Sequence, residues 1–350
     1  MPDAHTIPDI AVDRHGVVDF LRGTLAEAEA MPRARLHRRH AQPSGLPLEL
    51  WFDSAVQADL YTPRLAECAP VPGSAATRVY ILDSMGQLPT WTDEAFEAPA
   101  FHALLREAGL RAAYPHQQQV WQVLDMQAGV GVHLARSIED LPLWHAGSPL
   151  RQHLHWLLQA RGKRIAHAAT LGAAGRGILL FGSGGAGKSG TTLAGVAAGL
   201  QTVGDDYVAL GGAAQAVATP LYRIFKQDRR GLARVGGLQA KTADMPENWM
   251  RKVEFDPTLF FPDCFVEEME IRAIVLPRIA RAESSRFVAI PGGEAMRGLI
   301  PTNLMQFPGE ADDGMAYYAN LLRRLPAYRL ELSSDAAECG AALRSFIAGL

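Results

Sequence analysis

The chain has 350 residues, 48% of them apolar, enough for two ordinary domains or one large one with a packed core. With 34 basic against 37 acidic side chains its formal charge is −3, which gives no long-range attraction to nucleic acid or to an anionic membrane. The three cysteines, Cys68, Cys264 and Cys339, show neither CxxC spacing nor an even count, which argues against a disulfide framework and a cysteine zinc site and for reduced, buried thiols.

The opening stretch MPDAHTIPDIAVDRHG carries prolines and acids where a secretory leader needs a basic start and an apolar run. No later apolar run approaches the ~18 residues of a membrane span. A cytoplasmic protein with neither membrane nor nucleic acid as partner is the expectation. The first predicted element is a helix over VVDFLRGTLAEAEAM. The following PRARLHRRHAQPSG, with its arginines and histidines before a Pro-Ser-Gly turn, reads as a solvated loop. From Leu46 to about Leu134, strand-like runs such as LPLELWF, TRVYIL and VGVHLA alternate with turns and one or two helices, without a chemical motif. In SPLRQHLHWLLQA the leucines at 150, 154, 157 and 158 predict a helix, with Ser148 as its cap.

From Arg164 the pattern becomes strand, glycine loop, helix, strand, the mark of an α/β layer. A boundary near 150 to 162 follows, with an N-terminal α+β region over 1–155 and a second domain over 156–350. Later strands are predicted at Tyr222–Phe225, Ile271–Leu276 and YRLELS. Helices are predicted from Gly293 to about Met305, from Asp312 to Arg324 and from Asp335. Between them, Lys226 to Phe255 is polar, basic and glycine-rich, and reads as a long irregular loop, functional or disordered. Arg229, Arg230 and Arg234 within it are either a solvated basic face or a clamp for phosphate or an acidic acceptor.

The stretch FGSGGAGKSG carries the chemistry. Gly182, Gly187, Lys188 and Ser189 satisfy G-x-x-x-x-G-K-[ST], the P-loop pattern, which chance supplies in roughly one chain in a hundred of this length. The apolar run GILLF before it suits a buried strand, and TTLAGVAAGL after it is an uncharged helix suited to packing between layers. Glycines at 182, 184, 185 and 187 let the backbone approach an anion closely, and the helix N-terminus adds its partial positive charge. The nucleotide-binding candidates are Gly182, Ser183, Gly184, Gly185, Ala186, Gly187, Lys188, Ser189 and Gly190. Lys188 would reach the β- and γ-phosphates, and the Ser189 hydroxyl would meet Mg²⁺.

Asp205 and Asp206 follow 17 and 18 positions after Lys188, in VGDDYVAL. They fall at the start of the next strand, where side chains alternate, so they point to opposite faces unless a turn intervenes. One carboxylate would bind the metal or its water, and the other would accept a proton from an incoming hydroxyl. Asp205 is placed with Ser189 as a metal candidate, while the division of roles between the two acids stays open. The short run before the acids, and the absence of N-K-x-D and L-S-G-G-Q motifs, favour a small kinase-like transferase over a motor ATPase, a transporter or a GTPase.

The segment IAHAATLGAAGRGILLFGSGGAGKSGTTLAGVAAGLQTVGDDYVAL resembles the core of the HPr kinase/phosphorylase family, which carries a histidine, a P-loop ending G-K-S and an Asp-Asp pair in this order. The resemblance covers about 165–210, with weaker echoes in later segments. It implies a P-loop kinase fold akin to the phosphoenolpyruvate carboxykinase C-terminal domain, with ATP, Mg²⁺ and phosphorylation of a serine hydroxyl. It also implies that Lys188 grips the transferred phosphate, Ser189 supports Mg²⁺, Asp206 with Asp205 forms the base region, and His167 is a catalytic neighbour. Read without it, His167 is a core or strand-end histidine. The family's tendency to form oligomers extends to this chain as an analogy. Two departures stand out. Gly190 occupies the position where the family commonly has an acid, and Glu270-Ile271-Arg272 lies about 65 residues beyond the acid pair, far from the place of the family's E-[IV]-R-G-L-G signature. Neither phosphorylase activity nor HPr as substrate is therefore carried over. The expected function is an ATP- and Mg²⁺-dependent kinase acting on a hydroxyl, foremost a serine of a small protein or peptide. The alternatives are a small-molecule kinase and a nucleotide-binding regulator that transfers nothing.

Overall fold

A computed structural model describes residues 16–83, 99–114, 120–135, 144–212, 214–248, 250–304 and 311–350. Residues 1–15, read above for a leader, and Met305, read as a helix end, lie outside them. The chain divides into two compact units, Met1–Leu157 and Leu158–Leu350.

In the first unit, helix α1 (Gly16–Ala30) buries Val17, Leu21, Leu25 and Ala28, the one-sided stripe that a 3.6-residue period creates. Strands β1 (His37–Ala41), β2 (Leu48–Phe52), β3 (Thr77–Asp83), β4 (Leu110–Ala113), β5 (Val120–Asp125) and β6 (Val130–Ala135) form a mixed sheet in the order β1-β2-β3-β6-β5-β4. β2, β3 and β6 run parallel, and the outer pairs are antiparallel. The helices are α2 (Ala55–Tyr61), α3 (Pro99–Glu107), α4 (Trp144–Gly147) and α5 (Arg151–Gln159). The stripe of α1 packs with Tyr80, Leu82, Trp121, Val123, Val132 and Leu134.

Within PRARLHRRHAQPSG, read as a loop, His37–Ala41 forms the edge strand β1. Its charges serve the edge: Arg38 pairs with Glu49 at 3.2 Å and Arg39 with Asp59 at 2.9 Å, and charged side chains are a usual guard on an unpaired strand edge. Ser148 is also not the cap of α5, because that helix begins at Arg151, directly after Leu150 with its positive φ of 57°.

The second unit holds strands β7 (Arg164–Ala166), β8 (Ala169–Ala173), β9 (Arg176–Leu180), β10 (Val208–Gly211), β11 (Val217–Pro220), β12 (Phe225–Asp228), β13 (Lys252–Phe255), β14 (Met269–Ala282), β15 (Arg286–Ile290) and β16 (Ala327–Ser333). Its helices are α6 (Lys188–Ala197), α7 (Arg229–Arg234), α8 (Leu238–Lys241), α9 (Gly292–Asn303), α10 (Ala311–Arg324) and α11 (Ala336–Ala348). The sheet follows β15-β16-β14-β11-β10-β7, and β9 joins it through β14 and pairs on its other side with β8. β14 runs parallel to both β9 and β16, so the carboxyl ends of three strands point the same way. β9 delivers the chain to the glycine loop at that end, where α/β sheets place their ligands.

α6 is buried from Thr191 to Val196. A Cβ on Gly195 would lie 2.5 Å from Leu171 Cδ1 of β8, and one on Gly340 of α11 would lie 2.8 Å from the Ala194 carbonyl oxygen. Helix, sheet and second helix thus meet through glycine. The segment Lys226 to Phe255 is not an irregular loop. β12 and β13 pair as an antiparallel ribbon with α7 and α8 between them. Phe225, Val253 and Phe255 are its buried anchors. Of the run Tyr222–Phe225, read as a strand, only Phe225 belongs to one. Cys264 and Cys339 are buried free thiols, whereas Cys68 is only half-buried.

Candidate functional site

β9 ends at Leu180 and α6 begins at Lys188, so the loop between them is the segment FGSGGAG. Ser183, Gly184 and Gly185 are exposed, and Lys188 is buried at 8% exposure. Gly187 has φ 106°, which demands glycine, and a Cβ there would also push on Leu332 Cδ1 at 2.8 Å. A Cβ on Gly184 or Gly185 would meet nothing within 4 Å, which leaves that rim of the loop open. The Ala186 amide donates to the Ser183 carbonyl at 3.1 Å, and α6 has no side-chain N-cap. Lys188 Nζ folds back to donate to the Gly182 carbonyl.

The acids are placed by a hydroxyl network. Thr170 of β8 donates its amide to the Gly204 carbonyl at 3.0 Å, and its Oγ1 accepts from the Val203 amide at 2.9 Å. Thr202 Oγ1 lies 3.0 Å from Thr170 Oγ1 and accepts from the Gly204 amide at 3.0 Å. A tight bend results, and β10 starts only at Val208. The two aspartates therefore precede the strand, and the alternation expected of strand residues does not apply. Both turn to Lys226 of β12. Its amide donates to Asp205 Oδ2 at 3.5 Å and its Nζ to Asp206 Oδ2 at 2.9 Å.

The environments of the two acids differ. Asp205 is 3% exposed. Burial, helped by the neighbouring Asp206 charge, pushes its pKa up to about 6, although Ser189, the Lys226 amide and Thr192 favour the charged form. Its Oδ1 is buried with no hydrogen-bond partner. The Asp206 side chain is 27% exposed and holds a donor on each oxygen, His167 Nε2 at 3.0 Å on Oδ1 and Lys226 on Oδ2. Burial opposes its ionisation, but the Lys226 charge and the His167 hydrogen bond outweigh burial and hold the carboxyl well below the usual range. Burial lowers the pKa of Lys188, and Lys252 adds to this, while Asp206 and Asp205 pull the other way.

His167 is fixed from three sides. Its amide donates to Asn303 Oδ1 at 2.8 Å, its ring lies 4.8 Å from that of Tyr207, and its Nε2 meets Asp206. Asn303 in turn accepts from the Tyr318 hydroxyl at 3.0 Å. The structure thus brings together Lys188, Ser189, Asp205, Asp206 and His167. Gly190 lies in the first turn of α6, where a Cβ would have Gln227 Nε2 at 3.9 Å as its nearest neighbour. Lys226, Thr192 and Asn303 belong to the same site and were not found from sequence. The arginine clamp does not form around Arg229, which donates to Glu247 at 3.1 Å and to the Thr242 and Met245 carbonyls at 2.6 and 2.7 Å. Arg230 and Arg234 are exposed.

A hard divalent cation suits this donor set. The Ser189 hydroxyl and the buried, partnerless Asp205 Oδ1 are oxygen donors. Among the described residues no group of three or more His, Cys, Asp or Glu could hold a metal by itself. The cation would therefore need phosphate oxygens and waters, as Mg²⁺ ordinarily does. No described helix is long and apolar enough to cross a membrane.

No protein-family model matches the chain. No curated protein matches it either. Among solved structures, it is similar to the Hpr(Ser) kinase/phosphatase from Coxiella burnetii, at 13% identity over 53% of this chain and 95% of that one, with a TM-score of 0.30. That is a distant likeness of fold, and it carries no argument about the chemistry of the site.

Proposed function

We propose that the chain is an ATP- and Mg²⁺-dependent kinase that phosphorylates a hydroxyl group, foremost a serine of a small protein or peptide. The observation that supports it is the meeting of Lys188, at the head of α6, with two carboxylates of unlike environment and a histidine. Bound ATP supplies the γ-phosphoryl group and Mg²⁺ offsets its charge; a bond forms from the acceptor oxygen to phosphorus as the bond to the bridging oxygen breaks, releasing ADP. The open glycine loop and Lys188 hold the phosphate chain. Ser189 and Asp205 hold the cation. Asp206, kept ionised by its two donors, orients the acceptor hydroxyl and receives its proton. A carboxylate so acidic is a weak base, but phosphoryl transfer through a loose transition state asks more for positioning than for proton abstraction.

The test incubates the protein with γ-labelled ATP, Mg²⁺ and peptides or small proteins encoded by neighbouring genes, beside Asp206→Asn and Lys188→Ala. Label on a serine, lost in both variants, is the expected result. Label on a metabolite alone would make the chain a small-molecule kinase. Tight ATP binding with no label and no turnover above the variants would make it a regulator and end the kinase reading.

A further inference from the structure

Lys226 stands outside every motif of the sequence, yet its side chain lies within the site. β12 carries it on a firm base. The neighbouring Phe225 is buried, with ring centroids of Phe255 and Phe265 each at 6.2 Å, and strand pairing sets Lys226 opposite Glu254. From there it reaches both acids, Asp205 through its amide and Asp206 through its ammonium. Its side chain is 15% exposed and that of Asp206 27%, so water screens the pair far less than it screens a surface ion pair. With His167, from the bend between β7 and β8, on the opposite oxygen, the Asp206 carboxylate is held at both ends by donors from two separate segments and cannot turn about its χ2 axis without breaking one of them.

The structure assigns Lys226 as a positioning residue for phosphoryl transfer: with His167 it fixes the plane of the Asp206 carboxylate toward the acceptor hydroxyl, and it is not a ligand of the nucleotide. This rests on the kinase reading above. In that reading Lys188 and the loop amides supply the phosphate contacts, while the Lys226 ammonium places one of its donors on Asp206 at 2.9 Å. Misorientation of a reacting group by about 1 Å can cost on the order of 100-fold in rate. Loss of the ammonium should therefore appear in turnover and not in binding.

The test uses the full chain with Lys226→Ala, Lys226→Arg and Lys226→Met. Calorimetry reads ATP binding with Mg²⁺, and phosphate release reads transfer to water as the simplest acceptor. Lys226→Ala should lower kcat about 100-fold while changing the Kd for ATP less than about threefold. Ethylammonium should restore part of the rate saturably, tetramethylammonium should not, and Lys226→Arg should keep part of the activity. In the nucleotide-free protein, Lys226→Met, Asp206→Asn and their combination are compared by thermal unfolding, and the loss in the double variant should be smaller than the sum of the single losses. Additive losses would overturn the contact. A Kd that rises as far as kcat falls would make Lys226 a phosphate ligand. An unchanged kcat, or a loss that neither arginine nor ethylammonium repairs, would reduce it to an ordinary ion pair. A wild-type protein that binds no ATP, or that binds it and transfers phosphate neither to water nor to any acceptor named above, sinks the kinase reading and this inference with it, whereas wild-type turnover indifferent to Lys226 sinks only the inference.

Discussion

Asp205→Asn should make the ligand-free protein more stable at neutral pH while disabling the cation site proposed above. Asp205 is 3% exposed, and its pKa of about 6 lies above the ordinary 3.8 because burial disfavours the charge. Above pH 6 the folded protein must hold that charge, at a cost of about 3 kcal/mol for the difference between the two values. The amide removes the charge, keeps an oxygen for the Lys226 N–H, and offers its NH₂ to the hydroxyl side of the pocket. For a unit of this size, where each kcal/mol moves Tm by roughly 2–4 °C, an upper bound is a rise of about 6–12 °C. The pH dependence fixes the sign. Below about pH 4 the carboxyl is protonated in both folded and unfolded states, so wild type and variant should unfold together. Between about 4 and 6 the unfolded chain releases the proton while the folded one keeps it, so wild-type stability falls as pH rises and the gap opens. Above about 6 the gap should be constant. Scanning calorimetry from pH 3.5 to 8 without nucleotide or divalent ions measures it. Added Mg²⁺ with ATP should stabilise wild type more than the variant. A variant that melts lower than wild type at pH 7, or a gap that does not close toward pH 4, would refute the assignment of Asp205 as a buried charge kept for a ligand.

Lys188→Ala should weaken ATP binding about 10- to 100-fold, the worth of a charged hydrogen bond, and leave adenosine binding almost unchanged. Calorimetry with both ligands checks this, and equal losses would remove the lysine from the phosphate site. His167→Ala takes one of the two donors from Asp206 and should lower kcat/KM about 10- to 100-fold at nearly constant ATP affinity; an unchanged kcat/KM would return it to a structural role. Gly340→Val would push a Cβ to 2.8 Å from the Ala194 carbonyl and 2.7 Å from Ala198 Cβ. The overpacking should cost about 1–3 kcal/mol, visible as a fall in Tm, and an unchanged Tm would contradict the close seating of α11 on α6.

Legibility followed the range of the interactions. The glycine loop and α6 are set by neighbours in sequence, and the segments GILLF, GSGGAGKS and TTLAGVAAGL announce strand, loop and helix in order. The long C-terminal elements α10, β16 and α11 were equally plain, since each carries a full amphipathic or alternating pattern. β1 was misread because its arginines and histidines look solvated, and only the sheet reveals that they flank an edge. The ribbon of β12 and β13 was hidden by its four-residue strands, in which Phe225, Val253 and Phe255 are the buried signal.

Two adjacent aspartates look interchangeable in a sequence, and what separates Asp205 from Asp206 lies far away along the chain. The bend that frees both from β10 is made by Thr170, 33 positions before the Val203 amide that it accepts. The ammonium that holds Asp206 comes from 20 positions beyond it, and the amide that anchors His167 is bonded to Asn303, 136 positions away. None of these partners has a local spacing that marks it. The proposed chemistry depends on the difference they create. A pair of carboxylates both exposed to water would ionise together near pH 4 and repel each other. Here one is buried and raised toward neutrality, while the other holds a donor on each oxygen and is kept well below the usual carboxylate range. In the proposed reaction a cation would meet Asp205 at its buried Oδ1, while the donors on both oxygens of Asp206 would keep that carboxylate in place.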